Sequence, residues 1–484
     1  MKFVHNGRHE ATPTDDVPQH SSQPENSSTT QWGSMIHVSS RREPNGGSYG
    51  LLRLVPPPRS APTTTADRVS ASWVAQFEID PKMDLLKTLG YSPLLPCRVG
   101  ESSALRDVLA LFSSTWSHFK RGKTVGGLID AKVYAKAIRS LRRAIEHSTK
   151  FATCETLAAT VLLERFEVLF DTDRSYHRCI HARGVYSILA RKGPPKLTDE
   201  LDVCLALESQ GVVQSHCLAV GDDNFYHNPE WQSFLDQALS SSSLMSYEQR
   251  SAYRLERFMD QWPIICQKLH ELLNSVSADD IHAKALALHN QLTTRFAELR
   301  SVGEALIIKF GELGHIKIIN NSKWMPEQEF EFSDLFAQRC FTDYYVCSIV
   351  LNRILYETSN LLGKPNAELD AEYKTACRHV WMCYPFQRRV GLLAEVLFVG
   401  SLILTYEGAD DNERAHLLNC FREQDKFRKR LPTEDKPLES YILHTARIIT
   451  GRTYLPSQSS LRAAPLRQLT SDRVMALCEE NSLL

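Results

Sequence analysis

Paired cysteines are missing from this chain. Its twelve cysteines stand at positions 97, 154, 179, 204, 217, 266, 340, 347, 377, 383, 420 and 478, and no CxxC occurs. That excludes the thiolate pairs from which most structural zinc sites are built. A scatter across 484 residues is equally unlike the dense framework of a small secreted disulfide protein. Most of these cysteines fall inside apolar helical stretches, where cysteine behaves as a small hydrophobe. The usage predicts a reducing, intracellular setting.

A charge excess of either sign is missing too. Lys and Arg number 56 against 57 Asp and Glu, a net charge of −1. No global field therefore attracts nucleic acid or an anionic membrane, and such contacts would need a local patch. Long apolar runs are also lacking. The best, Val390 to Tyr406, is interrupted by Glu395 and falls short of the ~20 residues a spanning helix needs. It predicts a buried core helix, and no membrane partner. Met1-Lys2-Phe3-Val4-His5-Asn6 has no apolar stretch of the secretory-signal kind.

Signatures of catalysis fail one by one. Gly122-Lys123-Thr124 resembles the end of a phosphate-binding loop, but that pattern needs glycine where Ser117 stands, and no strand precedes it. It reads as a basic connection between helices. His177-Arg178-Cys179-Ile180-His181 spaces two histidines by one helical turn, yet Arg178 replaces the general-base glutamate of a zinc protease and no further ligand is nominated. A packed or capping histidine is the reading here. Cys340-x6-Cys347 and Cys377-x5-Cys383 fit the core pattern. There is no GxSxG, no GxGxxG and no acidic pair set for glycoside chemistry. The sequence predicts no enzyme and nominates no catalytic, cofactor-binding or metal-binding residue.

What is present is helix. Apolar residues make up 43% and charged residues 23%, enough to build a sizeable core. Residues 1–70 are rich in Ser, Thr, Pro, Asn and Gly, which predicts a disordered tail. Its one apolar island is Leu51-Leu52-Arg53-Leu54-Val55, ahead of Pro56-Pro57-Pro58. Residues 71–100 read as a linker. From about 101 the apolar residues recur at steps of three and four, as in Leu105, Val108, Leu109, Phe112, Trp116 and Phe119. Helices are expected near 134–145, 153–170, 175–191, 198–221 and from Pro229. Longer ones follow at about 247–275, 281–312, 333–362, 366–383, 388–407 and 411–430. The third of these longer ones carries Phe336, Cys340, Tyr344, Cys347, Leu351, Ile354, Thr358 and Leu361, a seam of period near 3.5 that predicts a partner helix. Ile316-Lys317-Ile318-Ile319 could form a short strand, but no pairing partner is nominated. The expected fold is all-α. It is a multi-helix region over 101–450, in two sub-bundles of about 101–245 and 246–450, with a C-terminal tail carrying a short helix over 451–484.

Five short patterns stand in order between Tyr134 and Trp231. Tyr134, Ala137 and Leu141 come first, then Glu155-Thr156-Leu157 with Phe166-Glu167 behind it. His181 and Gly184 precede Ile188-Leu189, Gly193-Pro194 follows Arg191-Lys192, and Pro229-Glu230-Trp231 closes the block. Order and spacing resemble the fungal-specific transcription factor domain, the helical regulatory region of fungal six-cysteine zinc-cluster transcription factors. Ile138 and Lys192 depart from the family's pattern. The resemblance implies an all-helical regulatory region, a nuclear location, and other transcription factors or co-regulators as partners. The family's DNA reader, CxxCx6C repeated, is not in this chain, since no cysteine precedes Cys97. Zinc, and direct DNA contact, are expected only if such a cluster is encoded upstream; otherwise DNA is reached through a partner.

In physical terms the block is architectural. Gly184 is expected to let two helices approach, His181 to make a buried hydrogen bond, Gly193-Pro194 to stop a helix, and Trp231 to anchor packing. Separately, Lys426, Arg428, Lys429 and Arg430 end a helix, where cations complement the dipole; the same run reads as a nuclear-import signal. A helical scaffold acting outside the nucleus is the alternative function.

Overall fold

The computed structural model describes residues 64–77, 89–123, 127–170, 177–241, 245–275, 278–426 and 431–453. Residues 1–63 of the expected tail, the island at 51–55, the side chain of His177, the basic residues Arg428, Lys429 and Arg430, and the tail beyond 453 lie outside the description.

The chain becomes helical earlier than its composition suggests. Helix α1 (Thr65–Val74) starts inside the stretch read as tail, because Thr64 and Asp67 form a reciprocal capping box. The stretch read as a linker carries core residues. Trp73 is buried edge-on to Phe112 and donates its indole N–H to the Ser92 carbonyl at 3.0 Å. Tyr91, Leu95 and Val99 are buried as well, flanking two short 3-10 turns, Ser92–Leu94 and Pro96–Arg98.

The first core is built from α2 (Ser103–Lys120), α3 (Ala131–Glu146), α4 (Cys154–Phe170), α5 (His177–Lys192), α6 (Glu200–Glu208), α7 (Gln210–Val220) and α8 (Pro229–Ser240). Helix α4 is apolar nearly all round, and it is buried nearly all round. Its start follows Thr153, whose hydroxyl accepts from the Thr156 N–H at 3.2 Å. Asp199 caps α6. The helix expected to run from 198 to 221 is interrupted at Ser209, and Gly221 ends α7 in the left-handed region.

The second core holds α9 (Tyr247–Glu256), α10 (Trp262–Leu273), α11 (Ala278–Glu312), α12 (Leu335–Leu361), α13 (Ala367–Val390), α14 (Leu392–Thr405), α15 (Asp411–Asp425) and α16 (Asp435–Ile449). Two helices replace the single one expected over 247–275, with Pro263 in the first turn of the second. The seam of α12 finds a partner in α9: the Cys340 thiol meets the Glu248 carbonyl at 3.5 Å, and Cys347 meets Leu255 at 3.8 Å. Both steps are seven residues.

Two expectations need correction. Ile316–Asn320 is a strand, β1, and it does have a partner: β2 (Gln328–Phe332), antiparallel, with Ile318 opposite Phe330. Phe330 and Phe332 alternate with Glu329 and Glu331 and plant both rings in the second core. The helix over 366–383 also does not end before Pro385. Helix α13 runs through that proline to Val390 and stops at Gly391, φ +125°. Proline offers no N–H to the carbonyl four residues back. That carbonyl, on Trp381, accepts instead from the Trp324 indole N–H at 3.0 Å, in the hairpin turn. The hairpin satisfies the group that the proline frees.

Candidate functional site

Three of the patterns in the block from Tyr134 to Trp231 meet at one carboxylate in the first core. Glu167, only 3% exposed, lies between α3 and α5. One carboxylate oxygen accepts from the Tyr134 hydroxyl at 3.3 Å, and the other stands 2.6 Å from His181 Nδ1. Three patterns widely separated in sequence thus share one buried carboxylate. Ala137, Leu141 and Leu157 are buried in the same core.

Gly184 lies where α5 crosses α4. A β-carbon there would meet the Thr160 methyl at 3.1 Å, closer than ordinary van der Waals contact. Thr156 bonds the Lys150 carbonyl at 2.8 Å and helps turn the chain into α4. Glu155 receives Arg98 at 3.2 Å, and the same guanidinium reaches Asp199 at 2.8 Å, tying the starts of α4 and α6. Gly193, φ +75°, caps α5 by donating to the Leu189 carbonyl at 2.9 Å, with Pro194 next. Lys192, a departure from the family pattern, pairs with Asp202. Pro229 and Glu230 are exposed in the first turn of α8. Trp231 is 3% exposed, packed among Phe225, Tyr226 and Phe234. Lys426 is exposed and bonded to Glu423. These placements are those of architecture.

A second constellation lies between the two cores and has no trace in local sequence patterns. A cavity of about 270 Å³ is lined by Leu335, Ala394, Leu397 and Phe398 together with charged groups. Arg165 comes from α4, Glu208 from α6, Glu256 from α9, and Arg339 and Asp343 from α12. Arg339 is the hub. It reaches both Glu208 oxygens at 3.2 Å, Glu256 at 2.5 Å and Asp343 at 3.5 Å. Glu208 is further satisfied by the Tyr253 hydroxyl at 2.7 Å and the Gly90 N–H at 3.3 Å.

Electrostatics divides these acids. Burial opposes ionisation of Glu208, but Arg339 and the Tyr253 hydroxyl outweigh it and hold that carboxyl below its ordinary range. For Glu256 burial wins over Arg339, with Asp343 adding repulsion, and the carboxyl is pushed up to about 7. Asp343 is pushed up to about 6 for the same first reason. Several polar atoms of the lining have no hydrogen-bond partner among the described residues: Glu256 Oε2, Gln387 Oε1 and Arg165 Nε; Asp343 Oδ2 makes no hydrogen bond but faces Arg339 Nε at 3.5 Å. Gln387 is 7% exposed.

None of the described cysteines lines this cavity. Nine of the ten described are buried, with Cys97 the exposed one. Burial pushes the thiols of Cys204, Cys217, Cys383 and Cys420 up to about 12, far from the reactive thiolate. Among the described residues no group of three His, Cys, Asp or Glu is arranged to hold a metal ion. No helix there is long and apolar enough to cross a membrane.

The described residues define a mostly helical protein with one small hairpin. No protein-family model, curated protein or solved structure matches the chain.

Proposed function

We propose that this chain is a fungal nuclear regulator of transcription. It acts as a helical regulatory module through contacts with other transcription factors or co-regulators, and it is not an enzyme. The observation that carries the reading is the ordered block from Tyr134 to Trp231, whose Tyr134, Glu167 and His181 share one buried hydrogen-bond node. Five patterns in order resemble the regulatory region of fungal zinc-cluster factors, and three of them meet at the Glu167 carboxylate. Without the six-cysteine cluster in this chain, DNA is reached through a partner or through a cluster encoded upstream.

The test is chromatin profiling of the tagged native protein together with the transcriptome of a deletion strain. Occupancy at promoters whose genes change on deletion supports the reading. No occupancy with an unchanged transcriptome overturns it, and a tagged protein that stays cytosolic when nuclear export is blocked points instead to a scaffold outside the nucleus.

A further inference from the structure

One helix of the first core carries a charge that the chain as a whole does not. From Lys120 to Glu146 the sequence holds eight Lys and Arg against two acids, Asp130 and Glu146, in a chain of net charge −1. All eight cations are exposed. Four of them, Lys132, Lys136, Arg139 and Arg143, follow one another along α3 at steps of four, three and four. That spacing sets them in one row, on the side away from the buried Ala137, Leu141 and Ala144. At 1.5 Å per residue the row is roughly 16 Å long. Helix α2 lies alongside in the opposite direction: Asp107 meets Ser140 at 2.6 Å, and His118 Nδ1 stands 2.9 Å from the Leu128 carbonyl. Its end therefore brings Lys120, Arg121 and Lys123 beside the start of α3.

Folding does not call for this charge. Lys132 with Lys136, and Arg139 with Arg143, are like charges one turn apart, which weakens a helix. Acids nearby balance only part of the row. Lys136 reaches the buried Asp107 at 3.0 Å, and Arg142 beside the row reaches Glu146 at 2.9 Å. Asp130 caps α3, its carboxylate accepting from the Lys132 and Val133 N–H groups, and the first turn itself holds no acid. Lys120 rests over the Trp116 ring, 5.6 Å from its centroid. Arg121, Lys123, Lys132, Arg139 and Arg143 make no ion pair among the described residues. No large apolar side chain stands within the row, so it offers nothing to a lipid tail or to the apolar half of an amphipathic peptide. What it complements is a polyanion.

From this charge complementarity we propose that α3 and the end of α2 hold the phosphate backbone of duplex DNA without reading its sequence. A straight, rigid row of cations meets a regular line of phosphates, and the Arg139 and Arg143 forks suit phosphate oxygens. Each contact releases a condensed counterion, so the hold is electrostatic and salt-sensitive. Sequence recognition stays with a partner or an upstream cluster, and the row keeps the recruited chain against the duplex. The inference rests on the regulatory reading in one respect, the choice of DNA as the source of the phosphates. The two fail separately: promoter occupancy without binding to bare duplex keeps that reading and removes this one.

The experiment titrates the purified full chain into a fluorescent 24-base-pair DNA duplex of arbitrary sequence and reads anisotropy between 50 and 200 mM KCl. Binding is expected at the low end. Its log–log salt slope should be about −3 to −5, from about 0.9 per neutralised phosphate and the unpaired cations. Arg139→Gln with Arg143→Gln is expected to weaken binding tenfold or more and to make the slope shallower by about 2. The same double variant should keep or raise the urea midpoint, since it removes a like-charge pair from an exposed face. Lys317→Gln with Lys323→Gln makes the same change of net charge at exposed positions of the hairpin, and is expected to leave binding within twofold. No binding at 50 mM, or equal losses in the two double variants, overturns the proposal. So does displacement of the duplex by polyglutamate or phosphatidylserine vesicles as readily as by unlabelled DNA at equal charge, or tighter binding of an RNA duplex of the same length.

Discussion

The Tyr344 ring of α12 occupies the space where a side chain at Gly303 of α11 would begin. A β-carbon at Gly303 would fall 1.9 Å from Cε2 and 2.3 Å from Cδ2 of that ring. Alanine normally favours a helix interior by about 1 kcal/mol over glycine. Here the ring, 8% exposed, has to leave its packed position. Gly303→Ala is expected to cost about 2–4 kcal/mol despite its better propensity. Urea unfolding checks this, and adding Tyr344→Ala is expected to make the Gly303→Ala step neutral or favourable.

The contact of Gly184 with Thr160 is gentler and so makes a sharper test. The clash of a methyl at Gly184 is with Thr160 Cγ2 alone, at 3.1 Å. Gly184→Ala is expected to cost about 1 kcal/mol. Thr160→Ser removes that methyl and keeps the hydroxyl that donates to the Thr156 carbonyl. In the double variant the cost is expected to vanish, a coupling measurable as a double-mutant cycle.

Glu167 is buried as an acceptor, and its strongest contact is His181. Removing the imidazole by His181→Ala is expected to cost about 2–4 kcal/mol, because a buried carboxylate loses its nearest donor. Tyr134→Phe removes a longer hydrogen bond and is expected to cost about 1 kcal/mol. Glu167→Gln should shrink the effect of His181→Ala. Equal effects of His181→Ala in both backgrounds would refute the pairing.

Stability should depend on pH through Glu256 and Asp343. Both carboxyls hold a proton more tightly folded than unfolded, since burial lifts them above the ordinary 4.5 and 3.8. Their contribution is therefore fully present below those ordinary values and is lost as pH rises toward about 7. Its size is on the order of 1–3 kcal/mol. His216, His379 and His416 run the other way: burial lowers them, so they add stability as pH rises toward the usual histidine range. Comparing wild type with Glu256→Gln removes the histidine background. Urea midpoints at pH 5 and pH 8 are expected to fall less between the two for the variant.

Local chemistry was readable wherever neighbours in sequence are neighbours in space. Thr153, Asp199 and Pro229 mark helix starts, Gly193 marks an end, and the α12 seam shows in its spacing, because each depends on residues within a turn or two. Helix α16 is absent from the expected helices even though Leu438, Ile442 and Ala446 step by four; Lys436, Pro437 and Glu439 interrupt the apolar pattern at its start. The hairpin was half seen. Its second strand carries the alternation Phe330, Glu331, Phe332, but is too short to stand out, and its Glu329 is buried against Arg389 at 2.5 Å. The length of α13 is not local information, because the carbonyl that Pro385 leaves free is satisfied by Trp324, a residue remote in sequence. The charged cavity was invisible for the same reason. Arg165, Glu208, Glu256 and Arg339 each look like an ordinary solvated helix position until four helices bring them together.

The pairing of Glu208 with Arg339 joins residues from the two halves of the chain, and Leu393 of α14 packs into the first core. Neither half is therefore finished alone. Made as separate polypeptides, residues 64–241 and 245–453 would each carry an uncovered apolar face and a stranded charge. The two fragments should be poorly soluble apart and should recover one shared unfolding transition when refolded together.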